Sequence, residues 1–159
     1  MIMKTINQIK QHLHSFSSPQ KAKILQRFFK TSKGEYGEGD IFLGIMVPQI
    51  REIVQKYWKE IDSNDLTQLL HSKIHEERAL ALFILTEKFQ KSKDKKEQEE
   101  IINFYIRPEN LKWINNWDLV DLSCYKILGK YLLENQDKIN ILYDFTKSEN
   151  LWIKRIAII

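Results

Sequence analysis

The chain has 159 residues, of which 43% are hydrophobic and 29% are charged, and its formal net charge is +4. This balance excludes a disordered polypeptide, and no apolar run is long enough to form a transmembrane helix. The positive charge admits a nucleic-acid partner without requiring one. Cys124 is the only cysteine and cannot form an internal disulfide. Together with an N-terminus that lacks a signal-peptide core, it favours a cytoplasmic location.

The first third of the chain is predicted to hold helices on either side of one Gly-rich connection. The opening helix is indicated by an apolar stripe, Ile2, Ile6, Ile9 and Leu13. Ser18 precedes Pro19 as an N-cap precedes a proline at the first helical position. The stretch 30–46 contains four of the five glycines, and its three acids would repel phosphate, so we predict a shaped connection rather than a phosphate-binding loop. Val47 and Pro48 then predict the start of the next helix.

The later segments also have helical spacing of their apolar residues. Ser63 is predicted to cap a short helix, and a charged surface turn is expected over 91–96. Further helices are predicted over 76–89, 97–105, 110–115, 119–133 and 137–146, and from Leu151 onward. No segment alternates with a period of two for long enough to form a strand. The predicted fold class is therefore all-α.

Two segments of the chain, one around Ser72 and one around Ser148, are similar in sequence. Residues 70–81 resemble residues 146–157 at an offset of 76, which is two units of 38. This is close to the repeat length of about 40–47 residues in HEAT and armadillo proteins, whose helix pairs stack into a curved solenoid. We therefore predict a single domain over residues 1–159, built of HEAT-like helix-pair repeats that form a curved α-solenoid. The final segment, from Leu151, has no helix stop signal, and we expect the chain to be the N-terminal part of a longer protein.

Two charged residues stand within otherwise apolar helical segments, and they are the main candidates for chemistry. Asp121 follows Trp117 by one helical turn, while Arg155 lies in the last segment. Such charges are costly to bury unless they are paired or used, which suggests one cleft with an aromatic wall, an anion and a cation. Structural roles remain open: Asp121 suits the positive end of a helix dipole, and Arg155 either forms an interhelix salt bridge or clamps a phosphate. Asn116 or Asp118 is the predicted N-cap of this helix.

Metal binding is not predicted. His71 and His75 have the i, i+4 spacing of helical ligands, but no cysteine or carboxylate set completes a site. Cys124 fits a small buried hydrophobe better than a nucleophile. We therefore expect neither a metal nor another cofactor.

Three motifs, in chain order, resemble those of one family. They are Phe42-Leu43-Gly44-Ile45 with Pro48, Trp117-Asp118-x-Val120-Asp121, and Ser148-x-Asn150-x-Trp152-x-x-Arg155-x-Ala157-Ile158. Over essentially its whole length the chain resembles the bacterial DNA alkylation repair glycosylases of the HEAT-like-repeat superfamily. Its Tyr36-Gly37-Glu38-Gly39-Asp40 element is similar to that of a widespread subgroup.

The resemblance implies an α-solenoid that binds double-stranded DNA carrying alkylated bases and hydrolyses the N-glycosidic bond of cationic N3- and N7-alkylated purines. We expect the protein to be a monomer. By position, Trp117, Asp121 and Arg155 match the family's cleft residues. Asp121 would stabilise the developing sugar cation and position water, Trp117 would contact the deoxyribose and the cationic nucleotide, and Arg155 would hold a backbone phosphate. Lys154 is expected to contact DNA beside it. No metal or cofactor is required.

Two alternatives come from other functional classes. One is a non-catalytic HEAT-like module that binds duplex DNA. The other is a protein-binding α-solenoid scaffold, in which Asp121 and Arg155 pair with each other.

Overall fold

A computed structural model describes residues 6–159, so that the predicted contribution of Ile2 lies outside the described part. Within this part the chain is helical with irregular connections, and its only β feature is one isolated parallel bridge between Ile41 and Ile74. The all-α class is thus confirmed. The chain divides into two compact units, the first ending at Ile84 and the second beginning at Leu85. The curved solenoid over residues 1–159 stays a prediction.

The first unit contains four complete helices and the beginning of a fifth. They are α1 (Ile6–His14), α2 (Pro19–Phe28), α3 (Val47–Tyr57), α4 (Ser63–Leu70) and α5 (His75–Lys91). Ser18 caps α2 as predicted, since its hydroxyl accepts a hydrogen bond from the amide of Lys21. The predicted cap at Ser63 is wrong by one residue. The carboxylate of Asp62 accepts the hydrogen bond from the amide of Asp65, so Asp62 is the cap and Ser63 begins the helix.

The core of the first unit is formed by buried aliphatic side chains together with Phe29, Phe42 and Tyr57. Those that are 1% exposed or less include Ile9, Leu13, Ile53, Ile61, Leu69, Leu70 and Leu80. Helix α1 packs against α3 through this core. Removing this much apolar surface from water is the main stabilising contribution to the unit.

The connection between α2 and α3 is held by Glu76, the second residue of α5. Its carboxylate accepts hydrogen bonds from the backbone amides of Leu43, Gly44 and Ile45, at 3.0, 2.9 and 3.2 Å. Gly44 has φ +80°, and a Cβ there would lie 2.2 Å from the carbonyl oxygen of Ser18. The motif around Gly44 therefore has a structural cause: only glycine fits the backbone that Glu76 binds.

A buried ion cluster fixes the end of the glycine-rich stretch. Asp40 accepts from the guanidinium of Arg78 and lies 2.9 Å from Nδ1 of His75, whose ring stacks on Phe42 at 4.3 Å. Arg78 is 1% exposed and Asp40 is 7% exposed. Burial raises the pKa of Asp40, but the hydrogen bond from His75 and the charge of Arg78 outweigh it and leave the pKa below its ordinary value. The charges of this cluster compensate one another inside the first unit.

The second unit continues from α5 through a series of mostly short helices. They are α6 (Lys95–Ile106), α7 (Pro108–Leu111), α8 (Trp117–Cys124), a π-helical turn (Tyr125–Gly129), α9 (Lys130–Glu134), a 3-10 turn (Gln136–Lys138), α10 (Asn140–Thr146) and α11 (Leu151–Ile158). The predicted helix over 110–115 is wrong. Pro108 starts the helix earlier, as proline favours the first helical position, and it ends at Leu111.

The predicted helix over 119–133 is present but differs in two ways. It begins two residues earlier, at Trp117, and a π-helical turn from Tyr125 to Gly129 separates α8 from α9. Such a turn holds one extra residue within an otherwise α-helical run. The earlier start places Trp117 and Asp121 in the same helix.

The internal sequence similarity is matched by the bounds of the helices. Helix α4 ends at Leu70 and α5 begins at His75, while α10 ends at Thr146 and α11 begins at Leu151, in both cases 76 residues later. The turns also match. The hydroxyl of Ser72 accepts from the amide two residues on, at 3.0 Å, and the hydroxyl of Ser148 does the same at 3.1 Å. The structure therefore supports a repeated helix–turn–helix unit.

Candidate active site

Helix α8 begins at a buried asparagine. Asn116 is fully buried, its side-chain oxygen accepts from the amide of Trp117 at 2.8 Å, and its carbonyl accepts from the amide of Val120. Of the two caps considered from the sequence, the structure selects Asn116, while the carboxylate of Asp118 accepts from the amide of Leu119. Trp117 is therefore the first residue of α8, and Asp121 lies one turn further on the same face.

The opposite face of α8 is anchored in the second unit. Leu119, Val120, Ser123 and Cys124 are all buried. The hydroxyl of Ser123 lies 2.9 Å from the hydroxyl of Tyr105 in α6 and donates to the carbonyl of Leu119. These contacts fix the orientation of the helix, so that Trp117 and Asp121 remain half-buried at its outer side.

Cys124 behaves as the small buried hydrophobe that the sequence predicted. It is 2% exposed. Burial, followed by the negative charge of Asp121, raises the pKa of its thiol to about 11. The thiol is therefore protonated at neutral pH and is a poor nucleophile.

Helix α11 begins at a second asparagine cap. The side-chain oxygen of Asn150 accepts from the amides of Trp152 and Ile153, at 2.8 and 3.4 Å, and Ser148 accepts from the amide of Asn150. The motif Ser148-x-Asn150-x-Trp152 is therefore the N-terminal cap of α11. Arg155 lies five residues after Asn150, just as Asp121 lies five residues after Asn116.

The two helices bring Asp121 and Arg155 together. Nε of Arg155 donates to Oδ1 of Asp121 at 2.8 Å, and a terminal nitrogen of the guanidinium donates to Oδ2 at 2.7 Å. The side chains are 36% exposed for Asp121 and 40% exposed for Arg155. The hydrogen bond from Arg155 to Asp121 raises the pKa of Arg155 above its ordinary value. Of the two interpretations left open for Arg155, an interhelix salt bridge is the one found in this structure.

The other predicted site residues lie close to this pair in sequence. Trp117 shares the helix face of Asp121 and is half-buried, while Lys154 is exposed beside Arg155 on α11. The site therefore combines an indole, a carboxylate and a guanidinium, with an adjacent lysine, in the second unit. A guanidinium bound through two parallel hydrogen bonds uses the geometry with which arginine also binds phosphate.

Sequence reasoning did not single out the first unit's buried ion cluster of Asp40, His75 and Arg78, or the carboxylate of Glu76 that binds three amides. A pattern in the sequence could have indicated both features. Residues 75–78 place four polar residues at the start of α5, immediately before a run that is almost entirely apolar. Charges at such a position need partners, and the glycine-rich connection supplies them.

Among residues 6–159, no group of three or more His, Cys, Asp and Glu side chains is arranged to hold a metal ion. The helices of the described part include none that is long and apolar enough to cross a membrane. His75, one of the two histidines with i, i+4 spacing, lies 2.9 Å from a carboxylate oxygen of Asp40 through its Nδ1.

The fold and the site define an all-helical protein with a half-exposed acid–guanidinium pair, whose acid lies one helical turn from a tryptophan. The model of the family described as DNA alkylation repair enzyme matches residues 9–159, nearly the whole chain. The chain therefore belongs to the DNA alkylation repair enzyme family. No curated protein sequence matches it.

Proposed function

We propose that the chain is a DNA glycosylase that hydrolyses the N-glycosidic bond of N3- and N7-alkylated purines in duplex DNA. The observation that carries the proposal is the pair of Asp121 and Arg155, half-exposed one turn from Trp117, in a member of the DNA alkylation repair enzyme family. An acid that can face a sugar and a cation that can face a phosphate are the two groups that this reaction needs.

The chemistry of the substrate explains why one carboxylate is sufficient. Alkylation at N3 or N7 gives the purine a formal positive charge. When the bond between the sugar C1′ and the base nitrogen breaks, its electron pair leaves with the base, which becomes neutral without protonation. Water then adds to C1′ and loses a proton, leaving an abasic sugar. A general acid, which other glycoside hydrolyses supply through a second carboxylate, is not needed.

Asp121 is the proposed catalytic residue. As the bond to the base breaks, positive charge develops on the sugar ring, and a nearby carboxylate stabilises this charge more in the transition state than in the ground state. The same carboxylate can orient the attacking water and accept its proton. The polar, half-exposed position of Asp121 suits both roles because water can reach it.

Trp117, Arg155 and Lys154 are the proposed DNA-binding residues. The face of an indole attracts cations, and this would favour an alkylated base over a neutral one. The fork of Arg155 matches two phosphate oxygens, and Lys154 adds an exposed positive charge beside it. We further propose that the protein acts in the cytoplasm, as a monomer and without a cofactor.

The test is release of free base from methylated duplex DNA. Purified protein is incubated with DNA that carries 7-methylguanine or 3-methyladenine, and the free base is measured by chromatography. The proposal expects release by the wild-type chain and by Asp118→Asn, a matched loss of one carboxylate on the same helix, but not by Asp121→Asn. Equal release by Asp121→Asn and the wild type would contradict the role of Asp121.

A specific observation favours one competing function. The salt bridge between Asp121 and Arg155 is also what a structural role in a protein-binding scaffold predicts, since both charges are compensated within the chain. A scaffold would bind neither undamaged nor methylated duplex DNA. A non-catalytic DNA-binding module would bind both, with strong salt dependence, and would release no base.

A further inference from the structure

The guanidinium of Arg155, the proposed phosphate-binding group, is already paired within the chain. Two of the three guanidinium nitrogens donate to the two carboxylate oxygens of Asp121, at 2.8 and 2.7 Å. A carboxylate presents two oxygens to arginine in the same manner as the two non-bridging oxygens of a phosphodiester. Asp121 therefore stands where a backbone phosphate would bind most favourably.

We infer that Asp121 and a DNA phosphate exchange on Arg155, so that binding of the DNA backbone releases the carboxylate for its action on the sugar. This inference rests on the proposed function, because it assigns a regulation to the same site. While Asp121 and Arg155 are paired, each charge neutralises the other. Once a phosphate takes the guanidinium, Asp121 regains an uncompensated negative charge beside the sugar, at the moment when the substrate is in place.

The exposure of the pair makes the exchange feasible. With side chains that are 36% and 40% exposed, both groups remain partly hydrated, and solvent screening keeps their attraction weak. A fully buried pair would resist separation, because removal of one partner would leave an unpaired charge in a medium of low polarity. The buried pair of Arg78 and Asp40, with side chains 1% and 6% exposed, is such a case and provides the contrast within the same chain.

The helix caps allow the exchange without a change of fold. Trp117 and Asp121 are fixed on α8 by Asn116, and Arg155 is fixed on α11 by Asn150, whichever partner Arg155 binds. Only side-chain rotation is needed to move the carboxylate from the guanidinium. The exchange therefore makes a prediction about affinity that a purely structural salt bridge does not make.

If Asp121 competes with phosphate, its removal strengthens DNA binding. The experiment measures the Kd of the full chain for an undamaged duplex by fluorescence anisotropy, at one fixed salt concentration. It uses the wild type, Asp121→Ala, Arg155→Ala and the double variant. Asp118→Asn is the control for the general effect of removing one negative charge from this helix. Circular dichroism confirms that each variant is folded.

The exchange predicts that Asp121→Ala lowers the Kd by about fivefold, because Arg155 no longer has to leave a weak ion pair before it binds a phosphate. In the Arg155→Ala background the same substitution should change the Kd no more than Asp118→Asn changes it in the wild type. An equal effect of Asp121→Ala in both backgrounds would show general electrostatics and would overturn the exchange.

A second measurement follows the partner of Arg155 directly. The Nε–H resonance of Arg155 is recorded by NMR during titration of the wild-type chain with the undamaged duplex. The exchange predicts that this resonance shifts as DNA binds. An unshifted resonance at saturation overturns the exchange but leaves the glycosylase proposal intact. If neither the wild type nor any variant binds DNA, the proposed function fails, and the exchange fails with it.

Discussion

Arg155 binds Asp121 through two hydrogen bonds, at 2.8 and 2.7 Å, although both side chains remain more than one third exposed. Good geometry and weak stabilisation therefore occur in the same pair. An exposed ion pair contributes about 0–1 kcal/mol to the free energy of unfolding, because water and salt screen it. Substitutions at this site should consequently separate activity from stability.

Asp121→Asn tests this separation. We expect its midpoint of thermal unfolding to stay close to that of the wild type, since about 1 kcal/mol at most is lost. The rate of base release should fall by about 100-fold or more, because an amide neither stabilises the sugar cation nor accepts the proton of water. Calorimetry and single-turnover release of 7-methylguanine measure the two effects. If the midpoint of thermal unfolding fell together with the rate of base release, the role of Asp121 would be to stabilise the fold.

Lys154 provides a test of the proposed DNA contact. If its exposed ammonium group binds one phosphate, Lys154→Ala should reduce the slope of log K against log salt concentration by about 0.9, through the loss of one released counterion. The matched control is Lys147→Ala, which removes another exposed lysine just before α11, one that pairs with Asp144. Titrations at four or more salt concentrations give the slopes. Equal slopes for Lys154→Ala and the wild type would place Lys154 outside the interface.

Trp117 is expected to discriminate between cationic and neutral bases. Trp117→Phe retains an aromatic face, whereas Trp117→Ala removes it. Loss of a cation–π contact of about 1 kcal/mol should weaken the preference of the protein for methylated over unmethylated duplex by roughly fivefold in Trp117→Ala, with a smaller effect in Trp117→Phe. Competition binding measures this ratio. Trp58→Phe, in the first unit, serves as the control, and an unchanged ratio in Trp117→Ala would remove the indole from recognition.

Most of the fold could be predicted from the sequence because the start of a helix and its apolar residues are recognisable from neighbouring residues alone. The proline after Ser18, the proline after Val47 and the long apolar run of α5 each indicated a helix within a few residues of its observed bounds. Two of the errors arose where the decisive interaction was not periodic. The cap at Asp62 depends on which of two adjacent polar side chains reaches an amide, and the π-helical turn at Tyr125 leaves no pattern that spacing alone can detect.

The candidate site could be predicted in composition but not in arrangement. Asp121 and Arg155 were conspicuous as charges within apolar helices, and the spacing of Trp117 and Asp121 indicated a shared face. Whether Arg155 bound Asp121 or remained available to a phosphate could not be decided, because the two residues are 34 positions apart. Long-range pairing depends on how α8 and α11 pack, and this information is spread over the buried residues of both helices.

The buried cluster of Asp40, His75 and Arg78 predicts a specific acid sensitivity of the first unit. The pKa of Asp40 is lowered from 3.8, since its partners outweigh the effect of burial. Its contribution to stability is therefore present above the unfolded-state pKa and is lost as the pH falls through the lower folded-state pKa. Asp40→Asn leaves Arg78 buried without its carboxylate and should lower the free energy of unfolding by about 3–5 kcal/mol at pH 7.

The pH dependence distinguishes this mechanism from a general loss of packing. Unfolding by urea is measured for the wild type and Asp40→Asn between pH 7 and pH 2. The difference in their free energies of unfolding should be constant at neutral pH and should narrow below about pH 4, because only the wild type still has a carboxylate there to protonate. The control is Asp144→Asn, whose carboxylate is 71% exposed and pairs with an exposed lysine, and which should follow the wild type within about 0.5 kcal/mol. Parallel curves for Asp40→Asn and the wild type throughout this range would show that the charge of Asp40 is not what stabilises the unit.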